Sequence, residues 1–154
     1  MARLHIVSCI AASLFFVTVA VAADPKPNLS GTWKMSLQKS SVGSEIESRV
    51  DTIEHQDGKM KITTVQEDEN GKNTVVREYV TDGRQMSHAV LDTDRKSSAR
   101  WDGSVLVIET NVNDGAYTIR DRWTLADDHQ SIRVDREFSS NEGKRTQRIV
   151  LETQ

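Results

Sequence analysis

Residues 117–138 read YTIRDRWTLADDHQSIRVDREF. Tyr117, Ile119, Asp121, Trp123 and Leu125 fall on one side of an extended chain, and so do Ile132, Val134, Arg136 and Phe138. The other side carries Arg120, Arg122, Arg133, Asp135 and Glu137. A period of two with one apolar face marks a half-buried β-strand. Ala126-Asp127-Asp128-His129 between the two runs is turn chemistry, since short polar side chains hydrogen-bond their own backbone and tolerate positive φ. The stretch therefore reads as an antiparallel hairpin.

The pattern extends in both directions. Asp57-Gly58, Asn70-Gly71, Asp82-Gly83, Asp102-Gly103, Asp114-Gly115 and Glu142-Gly143 punctuate alternating runs. Asp-Gly and Asn-Gly pairs supply the backbone angles that tight hairpins require. Strands are predicted at 31–38, 48–56, 59–67, 73–81, 84–91, 97–101, 104–112, 116–125, 130–138 and 144–153. No window carries a helical apolar face; the nearest candidate, 44–49, reads equally as a loop. A sheet apolar on one side must cover that side, and without helices it does so by closing into a barrel or folding into a two-layer sandwich. The fold class is all-β, an antiparallel up-and-down meander. Residues 55–64 also align with 100–109, and 77–81 with 121–125, as a duplicated hairpin pair would, or as any Asp-Gly meander aligns with itself.

The first residues are of another kind. Arg3 and His5 precede an apolar run from Ile6 to Val21, followed by Ala20, Ala22 and Ala23 before the first acidic residue, Asp24. This is the layout of a secretory signal peptide, 1–22, ahead of a single domain, 23–154. Cleavage removes the only cysteine, Cys9, and leaves no membrane anchor. The protein is thus expected to be secreted or periplasmic. Its 154 residues fit one domain, and a formal charge of −3 supplies no excess for neutralising phosphates, which argues against nucleic acid as a partner.

Leu29-Ser30-Gly31-Thr32-Trp33-Lys34 opens the first strand. A Gly-x-Trp at the start of an up-and-down barrel resembles the lipocalin and calycin signature. The chain is similar to small secreted bacterial lipocalin-like proteins of unassigned function. The resemblance implies a closing barrel of about 8–10 strands whose closed end is plugged by Trp33. It also implies a late-strand arginine, Arg145 or Arg148, lying across that tryptophan. The helix that usually follows a lipocalin barrel has no counterpart here.

Polar residues on apolar faces point to a site. Arg77 shares a face with Val75 and Tyr79; Asp121 lies between Ile119 and Trp123, and Arg136 between Val134 and Phe138. Inward charge is costly unless it is paired. Arg77 and Arg136 are expected to grip an acidic head group, with Asp121 orienting one of them, because the planar guanidinium fork matches a carboxylate. The competing expectation is a structural ion pair. His88 lies on the Met86 and Val90 face, Trp101 abuts a turn at the rim, and Tyr79 and Trp123 supply aromatic lining. The candidate ligand-binding set is therefore Arg77, Tyr79, His88, Trp101, Asp121, Trp123 and Arg136.

The histidines lack metal-ligand spacing, and no nucleophile elbow or phosphate-cradling glycine loop occurs. No cofactor, metal or catalysis is expected. The leading expectation is a barrel that binds a small apolar or amphipathic molecule. The other is a packed barrel acting on a protein partner, unknown from sequence, through an edge strand or through loops such as 36–48.

Overall fold

A computed structural model describes residues 26–90 and 93–154. The predicted leader, 1–22, with Cys9, lies outside the described residues, as do the side chains at 88–90 and 94. The strands are β1 (Gly31–Met35), β2 (Ile46–Gln56), β3 (Lys59–Asp68), β4 (Gly71–Val80), β5 (Asp82–Val90), β6 (Thr93–Asp102), β7 (Val105–Val112), β8 (Tyr117–Leu125), β9 (Ser131–Ser140) and β10 (Gly143–Thr153). They form one antiparallel sheet in the order β4-β3-β2-β1-β10-β9-β8-β7-β6-β5. Pairing of β1 with both β2 and β10 bends this sheet into a barrel that is nearly closed. The remaining seam lies between β4 and β5, consecutive strands linked through Thr81 that share no ladder.

Each predicted strand is present, and closure takes the barrel form rather than the sandwich. Turn chemistry explains the registers. Asp57 and Gly58 both have positive φ, at 52° and 73°, which lets β2 and β3 meet with Gln56 opposite Lys59. The offsets lie at strand ends. β6 begins at Thr93, four residues before its predicted start, which brings Arg95 into the sheet. The segment 44–49 holds a turn followed by the start of β2, with no helix.

β1 ends at Met35, earlier than expected, because a different device continues its edge. The backbone N–H of Ser36 donates to Val150 O and that of Ser41 to Arg148 O. In return the Ser40 and Ser41 hydroxyls accept from the N–H groups of Val150 and Arg148, at 2.9 and 2.8 Å. Serine side chains thus take over the ladder beside β10, and the 36–45 connection hugs the barrel wall.

One end of the barrel is filled with Leu29, Trp33, Ile53, Met60, Leu106, Trp123, Ile132 and Leu151, all buried. Trp33 donates from Nε1 to Leu29 O at 3.0 Å. Gly31 is required for this arrangement. Its φ is +144°, and a Cβ there would come within 3.3 Å of the Trp33 indole nitrogen. The Gly-x-Trp signature is therefore a local packing solution. Neither arginine proposed to cross Trp33 does so. Trp33 is level with Thr153; Arg148 points outward to Asp135, and Arg145 stacks over Phe138, 5.7 Å from its ring centroid. Register decides this: both arginines sit too far from the closed end.

Candidate functional site

Above the apolar plug the inward residues turn polar. β2 contributes Arg49 and Asp51, β3 Thr64, β4 Arg77 and Tyr79, β6 Arg95 and Ser97, β7 Thr110, β8 Asp121 and Trp123, and β9 Arg136. Most of these side chains surround a cavity of about 70 Å³. Alternation dictates the set: residues two apart on a strand share a face, so once Ile53 and Trp123 face inward, Asp51, Arg49 and Asp121 follow.

Two ion pairs organise the charge. Asp51, fully buried, accepts from Arg49 Nε and Nη2, the latter at 2.7 Å, and from Thr64 Oγ1 at 2.6 Å. Asp121 accepts from Arg136 Nε and Nη2, each at 2.7 Å. Burial alone would lower the Arg136 pKa, but the adjoining Asp121 carboxylate outweighs it and holds the guanidinium above its ordinary value.

Arg77 differs from both. It forms no ion pair with a described carboxylate, and its Nη1 donates to Thr64 Oγ1 at 3.5 Å. Burial lowers its pKa, and repulsion from Arg49 and Arg136 adds to the effect. Beside it, burial pushes the Tyr79 hydroxyl up to about 12, with the Arg77 charge opposing. Arg95 Nε and Trp123 Nε1, both buried, have no hydrogen-bond partner among the described residues. Among the described residues the cavity therefore holds more donors than acceptors and more positive than negative charge.

The seam adds a second space. Met60, Tyr79, Val80 and Met86, together with the charged Glu54, Asp57, Lys59, Lys61 and Glu78, line a solvent-open hollow of about 600 Å³ at the β4 edge, which β5 reaches through Met86. Tyr79 lines both this hollow and the inner cavity.

Of the seven residues predicted from sequence, Arg77, Tyr79, Asp121, Trp123 and Arg136 line the cavity. Asp121 orients Arg136 and is not hydrogen-bonded to Arg77. His88 faces Arg95 across the β5–β6 register, and its side chain lies outside the described residues. Trp101 does not line the cavity; it packs near the plug with its ring 5.8 Å from that of His55. Its strand reaches the cavity earlier, at Arg95 and Ser97. Sequence reading missed Arg49, Asp51, Arg95, Ser97 and Thr110. Period two counted back from Ile53 finds the first pair, and Arg95 lay before the assumed start of its strand.

No protein-family model and no curated protein matches the chain. Solved structures do. An abundant heat soluble (SAHS) protein from Ramazzottius varieornatus is similar with a TM-score of 0.64 at 14% identity, over 82% of this chain and 95% of that one. Fatty-acid-binding protein 1 of Echinococcus granulosus gives 0.58 at 12%, over 81% and 96%. The zebrafish ileal bile acid-binding protein, complexed with cholic acid, gives 0.55 at 11%, over 81% and 98%. At such identities the likeness concerns architecture, and on that ground the chain has the lipocalin-like, ten-stranded up-and-down β-barrel fold of these proteins.

Proposed function

We propose that this is an exported barrel that binds a small amphipathic anion without catalysing its conversion. Arg77 carries the reading. It is a half-buried guanidinium on a cavity wall with no ion-pair partner among the described carboxylates, beside two completed pairs, Arg49–Asp51 and Arg136–Asp121. An unpaired cation withdrawn in part from solvent is costly, and an anionic head group offsets that cost. The inner cavity, about 70 Å³, suits a head group and is far below the roughly 300–1,000 Å³ of sites enclosing whole drug-sized ligands. An apolar tail would pass Tyr79 into the seam hollow, against Met60 and Met86. The leader at 1–22 supports export to the periplasm or medium, and intact mass of protein recovered from the periplasm tests it: the chain should begin at Ala23.

Calorimetric titration of octanoate into the processed protein tests binding. Saturable binding that is lost in Arg77→Leu is expected. Equal native and denatured masses, with no heat on titration, would leave the packed-barrel reading. One observation favours that alternative: an outer groove of about 630 Å³, where Lys39, Ser40 and Ser41 of the 36–45 connection meet Arg122 and Arg148. A partner protein would engage the barrel there.

A further inference from the structure

Among the described residues the charges around the cavity do not balance. Arg49, Arg77, Arg95 and Arg136 face Asp51 and Asp121. Asp51 takes up Arg49 and Asp121 takes up Arg136 through multiple hydrogen bonds, so two guanidinium groups, Arg77 and Arg95, are left over. A single carboxylate would compensate one and leave the other uncompensated in a partly dry site. Neither remaining arginine forms an ion pair with a described carboxylate, and no described group accepts from Arg95 Nε.

Donor placement points the same way. Arg77 comes from β4, Arg95 from β6 and Trp123, only 3% exposed, from β8 with its indole N–H unsatisfied. Donors from three walls match oxygens arranged in three dimensions. A carboxylate offers two coplanar oxygens, suited to one guanidinium fork, whereas a phosphate offers three in a tetrahedral array.

We propose that the head group this cavity takes is a doubly charged tetrahedral oxyanion, a phosphate monoester, held by Arg77, Arg95 and the Trp123 indole N–H. The proposal rests on the reading of the barrel as a binder of amphipathic anions. Inorganic phosphate carries the same chemistry without a tail.

Four probes separate these cases: octanoate, octyl sulfate, octyl phosphate and inorganic phosphate, titrated by calorimetry at pH 8. At that pH the phosphate monoester is a dianion, because its second pKa is about 6. Octyl sulfate keeps the tetrahedral shape with one charge. Octyl phosphate should bind at least about tenfold tighter than octyl sulfate and octanoate, the effect of one added charge-assisted contact. Arg95→Gln should erase that preference while octanoate binding persists. Octyl sulfate or octanoate binding as tightly as octyl phosphate overturns the dianion and leaves the amphiphile reading intact. Failure of every octyl compound with retention of inorganic phosphate upholds the dianion and overturns the amphiphile. Failure of all four overturns both.

Discussion

Arg136 and Asp121 face each other across the β8–β9 ladder and share two parallel hydrogen bonds of 2.7 Å, side-on and mostly out of solvent. Such a pair is more informative when broken than when present. Asp121→Ala leaves a guanidinium unpaired beside Arg77 and should cost about 3 kcal/mol. Asp121→Leu combined with Arg136→Met removes both charges and should recover most of that loss. Urea midpoints of the two variants check it; equal losses would mean that the side-chain volumes matter and the charges do not.

Arg77 should show the opposite sign. Arg77→Met removes a half-buried charge that pairs with no described carboxylate, so stability should rise by on the order of 1 kcal/mol. Anion binding should disappear in the same variant. A stability gain coupled to a functional loss would identify the residue as kept for its ligand.

Trp33 anchors the plug through volume and one hydrogen bond. Trp33→Phe should cost about 1–2 kcal/mol, chiefly from leaving Leu29 O without its donor. Trp33→Ala should cost about 3–5 kcal/mol by opening a cavity among Ile53, Leu106 and Leu151. Thermal unfolding of both variants tests the order.

His55 makes stability depend on pH. Burial lowers its pKa below 6.5, so the unfolded chain binds the proton more readily than the folded one. Its contribution is complete above pH 6.5 and is lost as pH falls from there through the folded pKa. His55→Gln should flatten the urea midpoint between pH 7 and 5. Asp82, held low by the Arg84 backbone N–H, and Glu152, held low by Lys39, act only in the more acidic carboxylate range. A wild-type profile already flat from pH 7 to 5 would contradict the assignment.

The serine-bonded edge can be read by hydrogen exchange. Ser40→Ala with Ser41→Ala removes the acceptors of the Val150 and Arg148 amides. Those two amides should exchange faster while those of Ile149 and Leu151 keep their rates. Uniform acceleration along β10 would show the 36–45 connection to be structural for the whole strand.

How far the sequence reaches is visible in particular strands. Asp57-Gly58 and Asp102-Gly103 specify their hairpins locally, so β2, β3, β6 and β7 were legible from neighbouring residues alone. The cavity was legible where alternation was unbroken, as at Arg77, Asp121 and Arg136. It was lost where a strand's start was misplaced, since Arg95 belongs to β6 through its ladder partners His88 of β5 and Val112 of β7. The pairing of Arg136 with Asp121 follows from the register of the β8–β9 hairpin. The approach of Arg77 on β4 to Arg136 on β9 depends instead on how distant strands curl around the barrel. That is a long-range fact, and no local pattern contains it.

The seam between β4 and β5 reverses the usual relation of chain order to sheet order. The sheet's two free edges belong to strands that are adjacent in sequence, while β1 and β10 lie side by side in its middle. Trp33 and Thr153, almost the whole described chain apart, must therefore meet before the ring exists. Loop-closure entropy makes that the costliest contact to form and places it among the last events of a slow, high-contact-order folding reaction. A circular permutant joined through the native ends and opened at Thr81 would turn the same barrel into a simple sequential meander, and its folding rate should rise.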